Sequence, residues 1–191
     1  TKQMVGTSEI KKGLCIRYNH GIYTIIDFQH VKPGKGPAFI RTTLRNVETG
    51  KVIDNTFTSG HKLDDVRVER RTYQFLYKED TTYHFMNNEN YEQTFIDEKI
   101  INAPKFLKEG NTAEIVFDAD NESALICELP ASIVLAITYT EKGEKGNTAT
   151  NAFKPATVET GAEVRVPLFI NEGDLIKIST VSGDYSERVK K

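Results

Sequence analysis

Turn-forming residues punctuate the chain at short intervals, and between them lie brief runs that alternate apolar and polar side chains. Asn19-His20-Gly21, Glu48-Thr49-Gly50, Ala119-Asp120-Asn121 and Ser182-Gly183-Asp184 are clear breaks. Successive side chains of a strand point to opposite faces, so period-two alternation marks a sheet with one buried face. Such runs occupy residues 15–18, 22–31, 38–47, 71–77, 81–86, 112–117, 123–128, 133–139, 163–167 and 175–180. Helical periodicity is scarce. Residues 96–108 have room for one short helix, which Pro104 would interrupt. Many short strands with close turn signals predict an all-β chain of antiparallel barrels or sandwiches.

Two breaks divide the 191 residues further. Around Leu63–Val68 the composition turns strongly charged, and around Leu129-Pro130 an extended link separates Cys127 from Ile133. The expected domains are therefore 1–66, 67–129 and 130–191. Blocks of about sixty residues bury little surface, which favours small closed barrels packed in a row. No sequence repeat is visible. The apolar fraction, 38%, suffices for a folded core. No run approaches the roughly 20 apolar residues of a membrane span, and the N-terminus lacks a signal-peptide pattern. Cys15 and Cys127 lie far apart in apolar runs and read as reduced core residues, which predicts a cytoplasmic protein.

Net charge is only −2, but it is unevenly spread. Residues 1–66 hold 10 Lys and Arg against 6 Asp and Glu; residues 67–129 hold 7 against 13; residues 130–191 hold 8 against 8. An RNA partner would meet its dense phosphate contacts on the first block and few on the second. Catalytic patterns are lacking. His20, His30, His61 and His84 are scattered and read as turn or surface histidines, with no paired cysteines for a zinc site. There is no phosphate-binding loop, dinucleotide fingerprint or nucleophile elbow. No cofactor, metal or catalytic residue is expected.

One stretch has unusual chemistry. Val31-Lys32-Pro33-Gly34-Lys35-Gly36-Pro37-Ala38-Phe39 lies between two strand-like runs and should form a hairpin tip. Glycine permits positive φ or close backbone approach, and each proline fixes its own φ and biases the residue before it. Lys35 is thus held outward, suited to a narrow anionic partner such as RNA. Taken alone, these residues suit an ordinary solvated turn better, since Pro and Gly are the commonest turn residues. The last block carries a polar loop, Lys142 to Thr148, and ends with Tyr185 and Arg188. The two could stack on and pair with RNA, or they could be a core cap and a solvated tail.

Lys154, Ala156, Gly161, Val164, Val166-Pro167, Ile170 and Gly173 follow the spacing K-x-A-x4-G-x2-V-x-V-P-x2-I-x2-G. This resembles the signature of the bacterial elongation factor P family. The tip Lys32 to Phe39, the motif Phe85-Met86-Asn87-Asn88-Glu89, and the ending with Tyr185 and Arg188 resemble the same family, so the likeness spans essentially the whole chain. It implies an N-terminal KOW/SH3-like barrel followed by two OB-fold barrels, set in an L similar to tRNA. It also implies a non-enzymatic factor that binds the 70S ribosome between the peptidyl and exit sites and relieves stalling on consecutive prolines. Lys35 would reach the CCA end of peptidyl-site tRNA, with Pro33, Gly34, Gly36 and Pro37 shaping the approach. Gly146, Asn147 and Thr148 would face the small subunit and messenger RNA, and Tyr185 and Arg188 would contact ribosomal RNA.

Two departures stand out. Many members have Asp where this chain has Asn147, and here Pro37 follows Gly36 to give a near-symmetric Pro-Gly-Lys-Gly-Pro. Many relatives carry an enzymatic extension on the tip lysine, which makes a lysine-modifying enzyme a further partner; a stiffer loop instead favours work with bare Lys35, because less ordering is needed on binding. A monomer away from membranes is expected. The competing readings are an elongation factor P-like paralogue with another stall preference, and a small-molecule enzyme on OB-type barrels. The latter would need convergent titratable groups in a pocket.

Overall fold

In the computed structural model, residues 3–143 and 152–190 are described. They form sixteen β-strands. Three short 3-10 turns, Thr7–Glu9, Glu98–Ile100 and Pro104–Phe106, are the only helical segments among the described residues. The helix allowed at 96–108 is instead a strand end followed by two of these turns. Pro104 does not break a helix there: it starts a turn, where its missing N–H costs nothing.

The first sheet contains β1 (Gln3–Gly6), β2 (Cys15–Tyr18), β3 (Gly21–Val31), β4 (Phe39–Asn46), β5 (Val52–Thr58) and β6 (Lys62–Asp65), in the order β1-β6-β2-β3-β4-β5. The second contains β7 (Val68–Glu79), β8 (Thr82–Asn87), β9 (Gln93–Asp97), β10 (Thr112–Asp118) and β11 (Ser123–Glu128), in the order β11-β10-β7-β8-β9. The third contains β12 (Ser132–Thr140), β13 (Phe153–Val158), β14 (Glu163–Pro167), β15 (Leu175–Ser179) and β16 (Tyr185–Val189), in the order β14-β13-β12-β15-β16. Counted from its own first strand, each of the last two sheets runs third, second, first, fourth, fifth. That repeated topology has no visible counterpart in the sequence, because a strand order fixes which residues alternate and not which residues they are.

The chain forms two compact units, Thr1–Arg70 with Val116–Ile126, and Arg71–Ile115 with Cys127–Lys191. In the first, Val5, Ile16, Tyr23, Ile25, Ile40, Leu44, Phe57 and Leu63 make a contiguous core. Fully burying side chains of this size contributes roughly 1.5–3 kcal/mol each. In the second unit Phe75, Phe85, Phe106, Leu135, Ile137, Ile176 and Ile178 are buried. Burial alternates strictly along β8, as period-two patterning requires. Strands missed in the sequence, such as β5 and β9, break the alternation: Val52 and Phe95 are apolar but exposed, while Asn55 and Thr94 are polar at half-buried positions.

Candidate functional site

β3 and β4 form the long arms of one hairpin, in register from Tyr23↔Asn46 to Val31↔Phe39. A bulge between Ile25 and Asp27 shifts the register and adds local twist. Beyond Val31↔Phe39 the ladder stops, leaving residues 32–38 as the tip. Its base is braced. The Ser59 N–H donates to the Ala38 carbonyl at 3.0 Å, the Phe28 and His30 rings meet edge-on at 5.6 Å, and the Arg41 guanidinium lies 5.6 Å from the Phe39 ring centre.

Within the tip Pro33 is half-buried, while Gly34, Lys35, Gly36 and Pro37 are exposed. Among the described residues Lys35 has no hydrogen-bond or ion-pair partner, and neither have Lys32 and Arg41. These two cations lie on the same hairpin as Lys35. Sequence reading assigned neither a role, although Lys32 at the edge of the tip and Arg41 in the strand-like run after it could have suggested one. The two glycines differ. Gly36 has φ +101, which strains any residue with a Cβ. Gly34 has no such backbone, and a Cβ there would meet nothing within 4 Å. The loop's backbone therefore calls for glycine at 36 and not at 34, while a Cβ at either position would meet nothing within 4 Å.

At the chain end, β16 pairs Arg188 with Ile176, Glu187 with Lys177 and Tyr185 with Ile178. The register slips between Lys177 and Ile178, so one extra residue stands in β16. Residues three apart on a regular strand face opposite ways; the bulge brings Tyr185 and Arg188 to the same side. Tyr185 is half-buried, and Arg188 is exposed with its guanidinium 5.5 Å from the Phe169 ring centre. Gly146, Asn147 and Thr148 lie outside the described residues.

The signature positions have structural tasks. Ala156, Val164, Val166 and Ile170 are buried, Gly161 and Gly173 hold positive φ in turns, and Lys154, only 6% exposed, donates from Nζ to the Glu141 carbonyl at 2.5 Å. In the middle motif Phe85 is fully buried, and Asn87 Oδ1 accepts from the backbone N–H of Glu89 at 2.8 Å, which shapes the turn after β8. His84 is not a turn residue: it sits on β8, half-buried and stacked on Tyr77 with ring centres 4.3 Å apart.

The remaining titratable groups show no catalytic arrangement among the described residues. Asp118, whose side chain is 4% exposed, accepts from Arg17 Nη2 at 2.6 Å and from Asn121 Nδ2 at 2.9 Å. Burial pushes its carboxyl up, but the hydrogen bonds from Arg17 and Asn121 outweigh this and hold it below the ordinary value. Burial pushes the Cys127 thiol up to about 12, with Glu128 adding to the effect, so thiolate chemistry is disfavoured there. Cys15 is half-buried rather than fully enclosed, and burial raises its thiol as well. No group of three or more His, Cys, Asp or Glu among the described residues could hold a metal ion. No helix among them is long and apolar enough to cross a membrane.

Three family models match consecutive parts of the chain: the elongation factor P KOW-like domain over residues 6–63, the elongation factor P OB domain over 68–124 and the elongation factor P C-terminal domain over 133–188. Among similar proteins, elongation factor P of Flavobacterium psychrophilum is 59% identical over 187 residues, covering 98% of this chain and 100% of that one. Elongation factor P of Christiangramia forsetii is 57% identical over 188 residues, covering 98% of this chain and 100% of its own. Of solved structures, a translation initiation factor eIF-5A family protein from Naegleria fowleri shares the fold at TM-score 0.51 and 15% identity, over 67% of this chain and 99% of that one.

Proposed function

Because the chain belongs to the elongation factor P family, translation elongation factors that associate with the ribosome and are not enzymes, we propose that it promotes peptide-bond formation at consecutive prolines. In this reading it binds the 70S ribosome between the peptidyl and exit sites in the cytoplasm, and its working parts are residues 1–66, 67–129 and 130–191. Lys35 positions the CCA end of peptidyl-site tRNA. Gly146, Asn147 and Thr148 face the small subunit and messenger RNA, and Tyr185 and Arg188 contact ribosomal RNA. The observation that carries the proposal is the tip itself: an unpartnered cation beside Gly34, where a Cβ would have open space all round.

Proline reacts slowly in peptide transfer because its ring restricts the reacting geometry. A bound factor can help without making or breaking a bond. Each tenfold in rate needs about 1.4 kcal/mol off the barrier, and orientation alone can supply several times that. Lys35 then serves as an electrostatic and steric prop and transfers no proton. Pro33 and Pro37 limit the conformers of the loop, so little ordering remains to be done on binding. This supports activity with an unmodified lysine.

The test is purified translation of a reporter with three consecutive prolines, run without factor, with unmodified protein and with Lys35→Ala. Relief by the unmodified protein alone supports both the function and the bare lysine. If only protein from the native host relieves the stall, a modifying enzyme is a required partner. Failure of both preparations sinks the polyproline reading and favours a paralogue with another stall preference.

A further inference from the structure

Phe169 is 57% exposed, a large apolar ring left mostly in solvent. It is held firmly all the same. The Ile170 N–H donates to the Pro167 carbonyl at 3.1 Å, and fully buried Ile170 anchors the turn. Asn171 Nδ2 donates to the Phe169 carbonyl at 3.3 Å, and the Asn171 N–H donates to Asp174 Oδ2 at 2.9 Å. The Gly173 N–H donates to the Ile137 carbonyl and the Ile137 N–H to the Asp174 carbonyl, both at 2.8 Å, which ties the loop to β12. The backbone from which the ring projects is thus braced.

Over it lies the Arg188 guanidinium, 5.5 Å from the ring centre. Among the described residues Arg188 has no carboxylate partner within ion-pair distance. A guanidinium held over an aromatic face keeps its N–H donors free, and its planar fork can take both oxygens of a phosphate at once. An arginine free in solvent must give up side-chain entropy to adopt that pose; one already laid on a ring has given up much of it.

We propose that Phe169 is a positioning residue: it holds the Arg188 guanidinium over its ring face, ready for bidentate contact with an RNA phosphodiester. This rests on the reading that Arg188 contacts RNA. It accounts for an exposed ring beside the guanidinium and for a guanidinium that, among the described residues, makes no ion pair although Glu172 and Asp174 line the same surface hollow.

Binding of the full chain to 70S ribosomes is measured against salt concentration for the wild type, Phe169→Leu, Phe169→Tyr, Arg188→Ala and the Phe169→Leu/Arg188→Ala double variant. Phe169→Leu keeps an apolar side chain but loses the flat face, and affinity is expected to fall about 2- to 5-fold. Phe169→Tyr restores it. In the Arg188→Ala background Phe169→Leu should have no further effect, a coupling that loss of local structure would not produce. Thermal melting of each variant checks that the loop's anchoring survives. If Arg188→Ala weakens binding and Phe169→Leu does not, or if the two losses simply multiply, the positioning role is wrong and the RNA-contact reading stands. If Arg188→Ala itself changes neither affinity nor salt dependence, both fail.

Discussion

Gly34 and Gly36 are the same residue on either side of Lys35, yet the backbone asks for glycine only at 36. Gly36→Ala puts a Cβ on a backbone at φ +101, with strain of about 1–3 kcal/mol. The tip is exposed and outside every strand, so that strain should be relieved by local rearrangement, with a small change in melting temperature and a large loss in stall relief. Gly34→Ala meets no strain and no neighbour, and by restricting the unfolded chain it should leave stability unchanged or raise it by up to about 1 kcal/mol. If Gly34 gives clearance to a tRNA end, rescue of the three-proline reporter should nevertheless fall. Full rescue by a stable Gly34→Ala variant would remove the argument for close approach there. Lys35→Arg separates charge from shape. Arginine keeps the charge but spreads it over a planar fork, so partial relief is expected, and complete relief would show that lysine's slimness is not needed.

At the scale of elements, what could be read early was whatever a short segment determines by itself. The β3–β4 hairpin follows from alternation and the Pro-Gly tip, and the strands at Cys15–Tyr18, Ser123–Glu128 and Glu163–Pro167 follow from the same signal. The register of β16 was not legible, because it depends on pairing with β15, and so does the approach of Arg188 to Phe169. Arg17 and Asp118 were equally hidden: 101 residues apart in sequence, they meet at 2.6 Å where the end of β10 reaches β2 within one compact unit. Asp118 also accepts the backbone N–H groups of Asp120 and Asn121 at 3.1 and 3.3 Å, so it fastens the β10–β11 turn as well as pairing with Arg17. Arg17→Ala should cost about 1–3 kcal/mol, since the pair is charge-assisted but Arg17 is partly in water. Asp118's folded-state carboxyl is held below its ordinary value, so its stabilisation is present above the unfolded pKa and is lost as pH falls through the folded one. Acid titrations of stability should therefore show a loss below about pH 4 that is smaller in Asp118→Asn. Identical acid profiles for wild type and variant would show that the carboxylate contributes nothing.

Over the whole chain the near-zero net charge conceals a division of labour, and salt makes it measurable. The first 66 residues carry an excess of four positive charges and residues 67–129 an excess of six negative ones. Lys32, Lys35 and Arg41 stand on one hairpin without ion-pair partners among the described residues. Every phosphate met by a cation releases counterions, so the logarithm of affinity falls with the logarithm of salt in proportion to the number of such contacts, by roughly 0.7–0.9 per phosphate. If the hairpin makes the RNA contacts, Lys32→Gln and Arg41→Gln should each flatten that slope by nearly one contact. Lys99→Gln, on an exposed turn of the acidic block, should leave the slope unchanged while shifting affinity little. Binding to 70S ribosomes across a range of potassium concentrations distinguishes the two cases. Equal slopes for all three variants would mean that the charge asymmetry serves solubility or another surface and not the docking of this chain on RNA.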